Sequence, residues 1–167
     1  PKEIKIIFNT HFHFDHAGGN AHLHALSGAE IIVHELEAPI IDSGIYNGKK
    51  YIPPSPVAKK ITGGERIEHG GIEFNIIHTT GHYPGHVSIL TSIIGPHGPC
   101  RVFFQGDALQ FKTAPKEVIE YAYPGRVEDF KKTCGLLKNL EFDLWAGGHP
   151  YATFAAMKEN GNPFVKK

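Results

Sequence analysis

Thr10-His11-Phe12-His13-Phe14-Asp15-His16-Ala17-Gly18-Gly19 places four potential metal ligands, His11, His13, Asp15 and His16, within six residues. The stretch directly follows Ile4-Lys5-Ile6-Ile7-Phe8, an apolar run that reads as a buried strand. The ligands therefore fall in the loop at the strand's carboxyl end. In extended backbone alternate side chains point the same way, so His11 and His13 are expected to aim at one point. Phe12 and Phe14 then point back into the core and clamp the loop. A turn at Asp15-His16 lets that pair reach a second point a few ångströms away. A solvated His-rich loop would not interleave its histidines with two aromatics.

At 167 residues the chain is long enough for one domain with a real core and too short for two large ones. Seventeen basic and seventeen acidic residues cancel, which offers nothing to a nucleic-acid backbone or an anionic membrane surface. No apolar run approaches the length of a membrane span. Gly (19) and Pro (12) imply many tight loops, and 12 histidines beside one Trp and one Met raise the question of a metal. Cys100 and Cys134 lack Cys-X-X-Cys spacing and give no disulfide framework. Both are expected to be packing residues. The chain opens at Pro1 with no visible signal peptide. The strand over 4–8 is apolar on both faces, which suits an interior strand with a neighbour on each side.

Downstream, residues 20–26 read as a short helix ended by Ser27-Gly28. Residues 30–34 read as a strand and 35–41 as a helical piece broken by Pro39. Residues 42–56 form a long connection rich in Gly and Pro, read equally as a plain surface loop or, through Tyr46 and Tyr51, as an apolar wall over a substrate. Gly70-Gly71 marks a hairpin between 66–68 and 72–74, whose second strand continues to His78. Strands are expected over 87–94, 101–104 and 142–145, a helix over 126–139 from its spacing of Val127, Phe130, Cys134 and Leu137, and another over 151–158. Strands apolar on both faces, interspersed with helices, argue a layered α/β architecture. His82, Asp107 and His149 join the first ligands as candidates, each just past the carboxyl end of a strand. His86 is placed to orient a ligand or to make a structural contact. His78 reads as a satisfied neighbour, and His22, His24, His34, His69 and His97 read as surface or turn residues.

His-X-His-X-Asp-His with Gly-Gly, then Gly81-His82 before Pro84-Gly85, Gly106-Asp107 and Gly148-His149, resembles the metallo-β-lactamase superfamily in residue type and in order along essentially the whole chain. The resemblance implies a four-layer αβ/βα sandwich. Proteins resembling this chain carry leading strands before the motif, so its N-terminal strands, and any targeting peptide, are expected to precede Pro1. A homo-oligomer or a second chain is the other way of completing the fold. The resemblance further implies two metal ions, with His11, His13 and His82 on one, Asp15, His16 and His149 on the other, and Asp107 and a hydroxide bridging them. Asp15 and Asp107 are then the carboxylates with a catalytic part. Imidazole and carboxylate donors suit zinc, with iron or manganese chemically allowed. The implied reaction is hydrolysis of an amide, ester or thioester of a small-molecule substrate by metal-activated water, without a protein nucleophile.

Around Asn162-Pro163-Phe164-Val165 the chain is most similar to the third, His-rich subclass of metallo-β-lactamases. That subclass usually shows Asp-Ser-Leu-Ser where this chain has Asp107-Ala108-Leu109-Gln110. The serines that would hold a β-lactam carboxylate are absent, leaving Lys112 as the substitute cation. In that subclass an Asp at this place need not bridge metals, so a bridging and an outer role for Asp107 both stay open. Gly-His-Tyr-Pro-Gly-His with Asp107 resembles lactonases and glyoxalase-II-type thioesterases equally well, although Gln110 and Phe111 stand where lactonases tend to carry a Tyr. A non-catalytic metal-binding protein on the same fold is the reading from a different class.

Overall fold

The computed structural model describes residues 1–109 and 127–149. Lys112, Gln110, Phe111, the 151–158 helix and Asn162-Pro163-Phe164-Val165 lie outside the described residues. The chain divides into two compact units, Pro1–Gly63 and Gly64–Lys167.

The first unit is built on a three-stranded parallel sheet of order β1 (Ile6–Phe8), β2 (Glu30–His34), β5 (Val57–Ile61). Central β2 is buried along Ile31, Ile32, Val33 and His34, which is why it reads as a continuous apolar run. The strand expected over 4–8 forms as β1 (Ile6–Phe8). β1 is shorter, its residues are half-buried, and among the described residues it pairs with β2 alone. Between them run α1 (Phe14–Ala17) and α2 (Asn20–Ser27). Gly28 closes α2 in the left-handed conformation (φ 71°), donating its N–H to the His24 carbonyl.

Pro39 does not break a helix. It sits in the first turn of α3 (Ala38–Ser43), where a missing N–H costs nothing. The long connection after it is partly ordered as a hairpin of β3 (Ile45–Tyr46) and β4 (Lys49–Lys50). Asn47 (φ 51°) and Gly48 (φ 72°) form its turn, the backbone that an Asn-Gly pair favours. β5, with Lys59 and Lys60 exposed, was not legible because its polar residues look like surface loop.

The second unit is a five-stranded sheet of order β10 (Leu144–Gly147), β9 (Gly98–Gly106), β8 (Val87–Gly95), β7 (Ile72–His78), β6 (Arg66–His69). It is antiparallel from β6 to β9, and β10 runs parallel to β9. The β8–β9 turn is tighter than expected, reduced to Pro96-His97 with Gly95 paired to Gly98. A core of Phe103, Ala108, Leu137 and Trp145 joins the sheet to α4 (Val127–Leu137). Cys100 and Cys134 are free and half-buried, and burial pushes the Cys134 thiol up from its ordinary value. Among the described residues no helix is long and apolar enough to cross a membrane.

Candidate metal centre

In the first unit the strand-like alternation holds as far as His13. His11 is fully buried, and its Nε2 lies 2.9 Å from His13 Nδ1, so the two imidazoles converge as expected. The His16 ring packs 4.1 Å from His11, centroid to centroid. Asp15 Oδ2 stands 3.6 Å from His16 Nε2 on the same helical turn. Phe12 points inward at 0% exposure, whereas Phe14 is 63% exposed. The chain enters α1 at Phe14, so the side-chain period changes from 2 to 3.6 and Phe14 no longer shares the inner face of Phe12.

Tyr46 and Tyr51 come down on Phe12, with ring centroids 4.7 and 5.7 Å away. Tyr51 also lines an open groove of about 440 Å³ with Ile45, Ile52 and Pro54. Behind the loop, Asn9 and Asn20, both buried, exchange side-chain hydrogen bonds of 3.2 and 2.6 Å, and Asn9 Nδ2 also donates to the His16 carbonyl. This amide pair ties the strand end to the start of α2.

In the second unit the ligand candidates arrive from three different strands, β7, β9 and β10. Asp107 is 3% exposed, and its Oδ2 lies 3.6 Å from His82 Nε2 and 3.1 Å from His149 Nε2. One carboxylate oxygen thus faces two imidazoles. Both histidines follow a glycine, for a steric reason. A Cβ on Gly81 (φ 123°) would come 2.9 Å from the Phe130 Cα of α4, and one on Gly148 would come 2.5 Å from Asp107 Oδ1. The β10–β9 register also shifts at Ala146/Gly147, and Gly148 N–H then bonds the Gly106 carbonyl, which draws the His149 end onto the Asp107 loop.

His86 shows what holds that loop. It is fully buried, and its Nε2 accepts the backbone N–H of Asp107 at 2.9 Å. Nε2 is therefore unprotonated, and the neutral ring carries its proton on Nδ1, which donates to Thr79 Oγ1 (2.8 Å). Thr79 then donates to Ser88 Oγ (2.8 Å) and Ser88 to the Gln105 carbonyl (2.8 Å). The chain of bonds begins and ends on the 105–107 segment. His78 donates Nε2–H to the Pro84 carbonyl at 2.7 Å, the satisfied neighbour expected.

The donor set fits divalent cations. Each unit gathers imidazole nitrogens with a carboxylate, and neither gathering includes a thiol.

Sequence reasoning missed two residues. His34, expected at the surface, is 3% exposed, donates Nε2–H to the Thr62 carbonyl (3.0 Å) and accepts Leu36 N–H on Nδ1 (3.2 Å). Glu37 is 2% exposed, and its Oε2 accepts the Phe12 N–H at 3.0 Å. No local signal marks Glu37, because its partner is 25 residues away.

Known proteins resemble this chain in family and fold. A family model described as the metallo-β-lactamase superfamily matches residues 1–149. Among curated proteins the chain is 34% identical over 106 residues to a hydroxyacylglutathione hydrolase of Maricaulis maris, covering 64% of this chain and 34% of that one. It is 36% identical over 90 residues to an N-acyl homoserine lactonase of a Bacillus species, covering 54% of this chain and 34% of that one. The chain thus spans about a third of the length of these relatives. Among solved structures it is similar to a subclass B3 metallo-β-lactamase of Bradyrhizobium japonicum, at TM-score 0.74 and 29% identity, covering 99% of this chain and 66% of that one. The chain has the metallo-β-lactamase fold and belongs to the metallo-β-lactamase superfamily.

Proposed function

We propose that this chain carries the site of a metal-dependent hydrolase acting on the carbonyl of an amide, ester or thioester, with zinc as the ion best suited to its donors. Iron and manganese accept the same donors. On the family pattern His11, His13 and His82 hold one ion, Asp15, His16 and His149 hold a second, and Asp107 is shared. When bound, such a pair supplies water of near-neutral pKa and polarises a carbonyl oxygen. Asp15 and Asp107 are the carboxylates proposed to orient that water. His86 fixes the Asp107 backbone through its Nε2. Tyr46 and Tyr51 support Phe12 between the two histidines, and Tyr51 also offers an apolar face to substrate.

The observation that carries the reading is Asp107. Its buried Oδ2 is flanked by His82 and His149, one imidazole from each proposed ligand set. A carboxylate between two such sets suits a bridging role better than an outer one.

A second reading concerns substrate, and Ala108 favours it. Ala108 is fully buried in the Phe103–Trp145 core, so the residue after Asp107 packs inward and gives no hydroxyl to a β-lactam carboxylate. This supports a lactone or a glutathione thioester, the substrates named for the two curated relatives, ahead of a β-lactam. The test is to load the full-length protein with zinc and assay a chromogenic cephalosporin, a homoserine lactone and a hydroxyacyl-glutathione thioester side by side. The expected result is lactone or thioester turnover, abolished by chelation, with weak cephalosporin turnover. If Lys112→Ala removes cephalosporin binding and leaves the other turnover unchanged, Lys112 recognises the carboxylate. Zinc-loaded protein that hydrolyses none of the three would contradict the enzymatic reading and favour a non-catalytic metal-binding protein.

A further inference from the structure

The residue before a helix normally turns a polar side chain onto its own helix's first N–H groups. Glu37 stands in that position before α3 and does not do so. Its backbone carbonyl takes the Ile40 and Ile41 N–H groups, and its side chain makes no capping bond. The carboxylate is turned instead to the Phe12 N–H, between His11 and His13, and accepts a direct hydrogen bond from it at 3.0 Å.

Burying a carboxylate is costly unless strong donors meet it, so its place behind this loop calls for a reason beyond packing. The turn that presents it is itself braced. Glu37 N–H bonds the His34 carbonyl, Leu36 N–H bonds His34 Nδ1, and His34 Nε2–H bonds the Thr62 carbonyl beyond β5. The Phe12 ring is meanwhile packed against Tyr46 and Tyr51. The peptide that spaces the two histidines is thus held by its N–H on one side and by its ring on the other. That peptide sets the directions in which the two imidazoles leave the backbone.

We propose that Glu37 is a positioning residue for the metal site: its carboxylate fixes the Phe12 peptide and so preorganises His11 and His13 to share one ion. The inference rests on the metal reading above. It assigns to a buried acid outside the ligand set the role of setting ligand geometry, and metal affinity should register its loss even where the fold survives.

The test compares Glu37→Leu, which removes the acceptor, with Glu37→Gln, which keeps a carbonyl oxygen in its place. Co²⁺ is titrated into each full-length protein and followed by its visible absorption, and the amide exchange of Phe12 is measured in the metal-free wild type. Loss of an outer partner of a metal ligand typically weakens binding about 10–100-fold. Glu37→Leu is expected to raise the Co²⁺ dissociation constant within that range and to alter the absorption band. Glu37→Gln should recover most of the affinity, and the Phe12 amide should exchange slowly. A Glu37→Leu protein that is folded but less heat-stable, with Co²⁺ affinity and spectrum unchanged, would overturn the positioning role. If Glu37→Leu does not fold, fast amide exchange at Phe12 in the metal-free wild type would overturn it equally. Wild-type protein that takes up no Co²⁺ would sink the metal reading itself, an outcome distinct from indifference of the Glu37 variants.

Discussion

The two units hold their ligand candidates by opposite strategies. In the first, His11, His13, Asp15 and His16 come from one short segment, and the surrounding structure braces that segment from behind through Glu37, Asn9 and the Phe12 ring. In the second, His82, Asp107 and His149 come from three strand ends, and the sheet register brings them together. There the bracing is the His86–Thr79–Ser88 chain and two glycines that allow close approach. A local cluster needs its backbone held in shape, whereas a dispersed one needs its loops held in register. Both units meet the need by setting a buried side chain against a backbone N–H beside or within the ligand loop.

The first unit is most vulnerable at Phe12. Its ring is fully buried, so Phe12→Ala should cost about 3–5 kcal/mol of stability, read as a fall in the denaturant midpoint. It should also impair metal uptake, since the His11–His13 spacing depends on that anchor. An equal loss of stability with full metal uptake would show that the backbone contacts suffice.

In the second unit the corresponding blow is Asp107→Ala. If Asp107 bridges, one ion per chain should be lost and hydrolysis should fall by more than about 100-fold, beyond the 10–100-fold usual for an outer partner. Metal analysis beside kinetics separates the two roles, because full occupancy with reduced turnover would place Asp107 outside the ligand set.

How legible each half was follows from the same contrast. The convergence of His11 and His13 could be read because it depends on strand alternation alone. Phe14 was misread because the switch into α1 falls one residue after His13 and leaves no mark in the apolar pattern. His82, Asp107 and His149 were found through their motifs at strand ends, while the distances among them depend on a register shift at Ala146/Gly147 that no local pattern encodes. Asn47-Gly48 was a readable hairpin signal within what looked like an open loop. Glu37 and His34 were out of reach, because a buried polar residue is recognised by its partner, and theirs lie 25 and 28 residues away.

A milder perturbation sharpens the second half. His86→Leu replaces the ring with an aliphatic side chain and removes the acceptor that His86 gives the Asp107 N–H, at a cost of about 1–3 kcal/mol. Thermal denaturation should show the loss, and hydrolysis should fall with zinc stoichiometry retained. Loss of zinc instead would mean that His86 governs occupancy as well as loop position.

The smallest effect is expected at Arg101, which bonds Asp143 and Glu141 at an exposed edge between β9 and the segment entering β10. The two carboxylates raise the guanidinium pKa above its ordinary value, yet exposed pairs are heavily screened. Arg101→Met should therefore leave the melting temperature close to wild type. A large drop would show that ion pairing, rather than register, secures the β10 end that carries His149.

The sharing of Asp107 by two ligand sets is tested most directly by the zinc content of the full-length protein. Saturated with zinc at neutral pH and freed of excess, the protein should retain two ions per chain by elemental analysis, spaced about 3.5–4 Å apart once a metal-bound structure is obtained. A single retained ion held by His11, His13 and His82 alone, or none, would contradict it.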